Sequence, residues 1–184
     1  MARLILLDRD GVLNVDSPDF VRSADEWLPI PGALPAVAAL NRAGLLVGVC
    51  TNQSGVGRGL FSEATLTDIH RRMRTELDAA GGHLDDLRYC PHDPDAGCDC
   101  RKPAPGMLRA AMAALDVSPD ETIFVGDAIR DVEAAHAAGC RAALVRTGKG
   151  AQVEPLARGM GVSWIGDDLA AFVEWILRER SSCR

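Results

Sequence analysis

What this 184-residue chain lacks limits its chemistry. It has no apolar run near the 18 or more residues that a membrane-spanning helix needs. The N-terminal "MARLILLDRDGVLN" holds a four-residue apolar run that Asp8 breaks, which is too short for a signal peptide. A cytoplasmic protein that does not engage membranes is therefore expected. Cationic excess is missing too. The formal net charge of −6 argues against a nucleic-acid or anionic-membrane surface, so phosphate would need a local cation cluster, helix N-termini or a metal ion. No Gly-Lys-Ser/Thr ending marks a P-loop, no Cys-x-x-Cys marks a redox pair, and no repeat, linker or low-complexity tract divides the chain. At 47% hydrophobic residues, a chain of this length buries a core without disulfide or metal staples. Residues 1–184 are expected to form one domain.

What is present begins with six cysteines, which in a reducing compartment point to metal or chemistry rather than a disulfide framework. Cys90, His92, Cys98 and Cys100 lie in "CPHDPDAGCDCRKP" with the spacing C-x-H-x₅-C-x-C. Three thiolates and an imidazole are the donor set of a closed, tetrahedral structural zinc site, whereas a catalytic zinc would need an open position. The loop 90–100 contains Pro94 and Gly97 and little apolar content, so metal binding would be what folds it. Cys50, Cys140 and Cys183 sit at a strand end, after a helix-ending glycine and in the tail, and carry no such pattern.

Short continuous apolar runs alternate with longer helical stretches. Leu4–Leu7, Leu45–Cys50, Thr122–Val125 and Arg141–Val145 read as buried strands, with Val162–Ile165 a weaker one. Helices are expected at about Gly32–Ala43, Ser62–Ala80, Gly106–Leu115, Asp131–Ala138 and Asp168–Arg180, with Gly44 and Gly139 as helix ends. This alternation predicts an α/β fold, a doubly wound, Rossmann-like parallel sheet with helices on both faces. Ligands of such sheets bind beyond the carboxyl ends of the strands.

Those strand ends carry the polar chemistry. Asp8 and Asp10 follow the first run; a polar turn explains them, and so does a bound cation relieving two adjacent carboxylates. "TNQSGVGRG" follows the second, offering Thr51, Asn52 and Ser54 as donors and glycines that let backbone N–H groups approach a ligand. "GDAIRD" follows the third, where Asp127 could also cap a helix and Asp131 could favour its first turn. Arg101 and Lys102 stand before a helix start. A Mg²⁺ held by carboxylates, with a phosphate facing Thr51 and Lys102, would use all of these groups at once. Arg146 ends a strand on the same side, and it and Lys149 are candidates for substrate contact. His70 and His136 read as helix-surface or packing residues.

In this order, "DRDG" at Asp8–Gly11, "TN" at Thr51–Asn52, Lys102 in "CRKP" and "GDAIRD" at Gly126–Asp131 resemble the four motifs of the haloacid dehalogenase superfamily of phosphohydrolases. Together with the cysteine loop, "CRKPAPGM" and "LVRTGKG", they resemble most the D-glycero-D-manno-heptose 1,7-bisphosphate 7-phosphatases, with the histidinol-phosphate phosphatases as the alternative. One departure is Ala128, where some heptose bisphosphatases carry lysine.

The resemblance implies a haloacid dehalogenase-like fold without a large cap domain and a monomer acting on a small phosphorylated sugar. It implies service in the supply of nucleotide-activated heptose for lipopolysaccharide. It also implies an aspartyl-phosphate mechanism: Asp8 as nucleophile, Asp10 as acid and base, Thr51 and Lys102 on the transferring phosphoryl group. Mg²⁺ would be held by Asp8, Asp127 and the backbone carbonyl of Asp10, with Asp131 behind the metal. Asp16, Ser17, Pro18 and Asp19 would line the sugar site with Asn52, Gln53, Ser54 and the substrate-orienting Arg101.

Overall fold

The computed structural model describes residues 1–182, so Cys183 lies outside the described residues. Six strands form one parallel sheet: β1 (Leu4–Leu7), β2 (Leu46–Asn52), β3 (Asp86–Cys90), β4 (Thr122–Gly126), β5 (Arg141–Val145) and β6 (Trp164–Gly166). Their order is β3-β2-β1-β4-β5-β6, so β1 lies between β2 and β4. The chain winds outward in both directions from that point, which is where a doubly wound sheet opens its ligand crevice. β1 is apolar throughout because both its faces are covered. Ile5 and Leu7 pack into one core cluster and Leu4 and Leu6 into the other.

On the first face lie α1 (Ala33–Arg42), α3 (Glu63–Ala79) and α7 (Leu169–Ser182). On the second lie α4 (Gly106–Ala114), α5 (Ile129–Ala138) and α6 (Gly150–Gly159). A short α2 (Ser54–Gly57) follows β2. The Ser62 hydroxyl caps α3 by accepting from the Thr65 N–H at 3.1 Å. Leu66, Ile69, His70, Met73 and Leu77 of α3 then recur at helical spacing on its buried side.

The expected strands and helices are all present within a few residues of their predicted bounds. Besides the short α2, two elements are additional for physical reasons. β3 carries Asp86 and Arg88 on an edge strand that is only half-buried, so it does not read as an apolar run. α6 is bounded by glycines and contains Pro155, which hides a helix from sequence pattern. No large cap interrupts the sheet connections among the described residues, and no helix among them is long and apolar enough to cross a membrane.

Candidate active site

The ends of β1, β2 and β4 converge with the loop before α4. The Lys102 Nζ, fully buried, lies 2.8 Å from Asp8 Oδ2 and 2.8 Å from Asp131 Oδ1. Asp8 Oδ1 also accepts from the Arg9 N–H at 2.7 Å, so both Asp8 oxygens are held. Asp131 Oδ2 accepts from the Ala128 N–H at 3.0 Å and so caps α5 as well as pairing with lysine. Asn52 fixes the lysine's backbone: its Nδ2 donates to the Lys102 carbonyl, and its Oδ1 accepts from the Lys102 N–H, both at 3.0 Å.

Asp127 takes the Lys149 N–H on Oδ2 at 2.8 Å, while its buried Oδ1 has no hydrogen-bond partner. The carboxylate fits between Gly11 and Gly148, where a Cβ would come within 2.3 Å and 2.1 Å of Oδ2. Oxygens of Asp8, Asp127 and Asp131 lie within 4.8 Å of one another, close enough to hold one metal ion. The electrostatics agree. Burial pushes Asp8 up to about 6, with Lys102 opposing and Asp131 assisting, and burial with the nearby Asp8 pushes Asp127 up to about 7. One lysine does not balance three buried carboxylates, and a divalent cation would.

Asp10 is held differently. Its Oδ1 accepts from Arg9 Nε at 3.1 Å, Arg9 Nη2 at 2.8 Å and Asn14 Nδ2 at 2.9 Å. Its Oδ2 accepts from Arg9 Nη2 at 3.1 Å and Gln53 Nε2 at 2.8 Å. Burial opposes ionisation, but Arg9, Asn14 and Gln53 outweigh it and hold Asp10 below the usual carboxylate range. Gln53 Nε2 also donates to Thr51 Oγ1 at 2.9 Å, which leaves the threonine hydroxyl proton free. His70 Nε2 lies 3.3 Å from Arg9 Nη1. Burial and the neighbouring guanidinium hold its pKa down to about 3, so the ring is neutral.

A cavity of about 270 Å³ opens above these groups. Asp16, Ser17 and Pro18 form part of its wall, as do Thr51, Asn52, Gln53, Ser54 and Arg101. Asp19 faces the adjoining groove instead. Lys102 and Asp127 are not on the wall; they lie among the buried groups behind Asp8. Lys149 reaches the cavity and pairs with Asp16 at 3.0 Å. Arg146 does not; Glu154 and Asp167 hold its guanidinium at 2.7 Å each. Sequence reasoning missed Arg9 and Arg130, both on the wall, although each sits inside a strand-end motif. Arg130 Nε and Arg101 Nη1 are buried without hydrogen-bond partners, cation atoms available to an anionic ligand.

The cysteine loop abuts the site. Its donors are spaced at 3.5 Å (Cys90 Sγ–His92 Nδ1), 3.6 Å (Cys90–Cys98 Sγ), 3.3 Å (His92 Nδ1–Cys100 Sγ) and 3.4 Å (Cys98–Cys100 Sγ). A tetrahedron with metal–sulfur bonds of ~2.3 Å and metal–nitrogen bonds of ~2.0 Å has edges of roughly 3.5–3.8 Å, so these donors could hold one ion. The loop docks on α2 through the Gly57 N–H, which donates to the Pro91 carbonyl at 2.8 Å. A Cβ at Gly57 would meet loop backbone at 2.7 Å. Asp93 of the loop also pairs with Arg58 of the cavity wall at 3.4 Å.

Known proteins resemble this chain in sequence and fold. A family model described as HAD-hydrolase-like matches residues 99–171. The D-glycero-β-D-manno-heptose-1,7-bisphosphate 7-phosphatase of Pseudomonas aeruginosa is 48% identical over 177 residues, covering 95% of this chain and 98% of that protein. The crystal structure of D,D-heptose 1,7-bisphosphate phosphatase from Bordetella bronchiseptica, complexed with magnesium and phosphate, superposes with a TM-score of 0.90. It is 48% identical and covers 96% of this chain and 99% of the other. The corresponding phosphatase from Burkholderia thailandensis superposes with a TM-score of 0.74 at 39% identity, over 95% and 98%. With the sheet order, the strand-end carboxylates and these relatives in agreement, the chain belongs to the D-glycero-β-D-manno-heptose 1,7-bisphosphate 7-phosphatase family of haloacid dehalogenase-like hydrolases.

Proposed function

We propose that this enzyme removes the 7-phosphate of D-glycero-D-manno-heptose 1,7-bisphosphate through an aspartyl-phosphate on Asp8, with Mg²⁺ as cofactor. The observation that carries the substrate reading is the surplus of positive charge on the cavity wall. Lys102 answers the transferring phosphate, yet Arg101 and Arg130 also line the cavity, and each has a buried guanidinium nitrogen without a protein partner. Arg58 and Lys149 stand on the same wall, paired with Asp93 and Asp16. A second phosphate suits those cations. The ammonium of histidinol phosphate, the runner-up substrate, would meet repulsion there.

Asp8 attacks phosphorus as the bond to the sugar oxygen breaks. Asp10, ionised in the free enzyme, takes up a proton as the anionic phosphate enters beside it and gives that proton to the departing oxygen. Asp10 then takes a proton from the water that attacks the acyl phosphate, releasing inorganic phosphate and restoring Asp8. Thr51 donates its free hydroxyl proton to the phosphoryl oxygens, Lys102 neutralises them, and Asp131 and Asn52 hold the lysine in place. Arg101, Asn52, Gln53 and Ser54 on one side, and Asp16, Ser17 and Pro18 on the other, confine the sugar; Asp19 supports that wall from the adjoining groove.

Asp8, Asp127 and the backbone carbonyl of Asp10 would hold Mg²⁺, and the orphaned Asp127 Oδ1 is a ligand waiting for such an ion. Bound there, the ion supplies charge neutralisation between an anionic nucleophile and an anionic phosphate. Cys90, His92, Cys98 and Cys100 would hold Zn²⁺ with no position left for substrate. The test compares phosphate release from the heptose bisphosphate and from histidinol phosphate in the presence of Mg²⁺. A strong preference for the heptose bisphosphate is expected; preference for histidinol phosphate would overturn the substrate assignment.

A further inference from the structure

Arg9 lies between two catalytic carboxylates, and no step above uses it. Its side chain is 1% exposed although it reaches the wall of a charged cavity. We propose that Arg9, locked in place by His70 of α3, is the positioning residue that fixes the Asp10 carboxylate for its two proton transfers. The proposal rests on the assignment of Asp10 as the acid–base group.

The geometry distinguishes this role from substrate binding. All three guanidinium nitrogens are committed to protein: Nε and Nη2 to Asp10, Nη1 to His70. A guanidinium only donates, so His70 Nε2 accepts and the ring proton resides on Nδ1. The imidazole also packs against Tyr89 of β3, with ring centroids 5.7 Å apart. Arginine is long and rotamer-rich, and a fork that must clasp one carboxylate squarely needs its far edge held. His70 does that from an element far from β1 in sequence. Misplacement of a reacting group by about 1 Å costs roughly 10²-fold in rate, which makes such a clasp worth retaining.

The test uses two leaving groups. A sugar alkoxide needs a proton as it departs, whereas nitrophenolate does not. Arg9→Met is therefore expected to slow the first turnover of the heptose bisphosphate by roughly 10²-fold. With 4-nitrophenyl phosphate its first turnover should stay within about threefold of wild type while the steady state falls by roughly 10²-fold, giving a burst of nitrophenolate equal to the enzyme concentration. KM should move by less than about threefold. His70→Leu should give the same pattern at about tenfold, and His70→Gln, which restores an acceptor, should recover most of the loss.

Equal loss of first turnover on both substrates, or a raised KM at unchanged kcat, would overturn the proposal. If Arg9→Met does not fold, the two His70 variants decide by the same criteria. Asp10→Asn run alongside separates the two readings. Absence of a burst there sinks the acid–base assignment, whereas a burst there with wild-type kinetics in Arg9→Met and His70→Leu sinks the clasp alone.

Discussion

The carboxylate–lysine centre and the cysteine loop lie side by side but are organised in opposite ways. Asp8, Thr51, Lys102, Asp127 and Asp131 come from widely separated parts of the chain and are nearly inaccessible. Two packed cores and a web of hydrogen bonds fix them, so the fold alone presets their positions. The loop gathers all four donors within eleven residues, His92 is exposed, and no buried apolar residue lies between Cys90 and Cys98. The donor set, together with the docking contacts to Gly57 and Arg58 of the neighbouring segment, draws that loop together. Burial thus presets the carboxylate–lysine centre, and a metal on the four donors would arrange the entrance beside it.

Three outcomes probe this contrast. The largest concerns the centre. Asp8→Asn should reduce turnover by something on the scale of 10⁶-fold, as removal of a nucleophile does, with the circular dichroism spectrum unchanged. Wild-type-like hydrolysis in that variant would remove Asp8 from the mechanism. The next separates the two regions. Because Asn52 clamps Lys102 independently of the loop, stripping zinc should leave kcat nearly intact. It should raise KM by roughly 10- to 100-fold, through Arg101 and the Asp93–Arg58 pair, and added Mg²⁺ should not reverse this. A collapse of kcat on chelation would show that the loop governs the chemistry itself.

The smallest effect is a pH dependence. Magnesium needs ionised ligands, and Asp8 and Asp127 titrate at about 6 and about 7 without it. Protons therefore compete more strongly as pH falls, and Mg²⁺ affinity by calorimetry should be roughly tenfold weaker at about pH 6 than at about pH 7.5. A zinc ion loaded on the cysteine loop of the same sample should stay bound over that interval, as the closed spacing of its donors requires.

How far each region was legible in the sequence follows from the same contrast. The loop's donors are local, so their identity and spacing could be read directly. The strand-end carboxylates were legible because a doubly wound sheet sends the residues after each buried run to one edge. The hydrogen bonds that orient them were not. Asn52 reads as a phosphate donor, yet its amide is engaged with the Lys102 backbone fifty residues away. Arg9 carries no sequence signal of its own between two acids, yet its side chain turns back to grip one of them. Arg146 ends a strand on the correct side, but Glu154 and Asp167, supplied by α6 and the segment after β6, hold it elsewhere. Partners contributed by tertiary packing leave no local signature.

The Asn52 clamp has a consequence for how this protein can vary. Cys90 is fixed by its pairing in β3 and Lys102 by the two bonds to Asn52, so the chain between them is pinned at both ends. A change of length or charge inside that passage would therefore alter the entrance to the cavity while the two bonds from Asn52 still deliver the lysine to the same place.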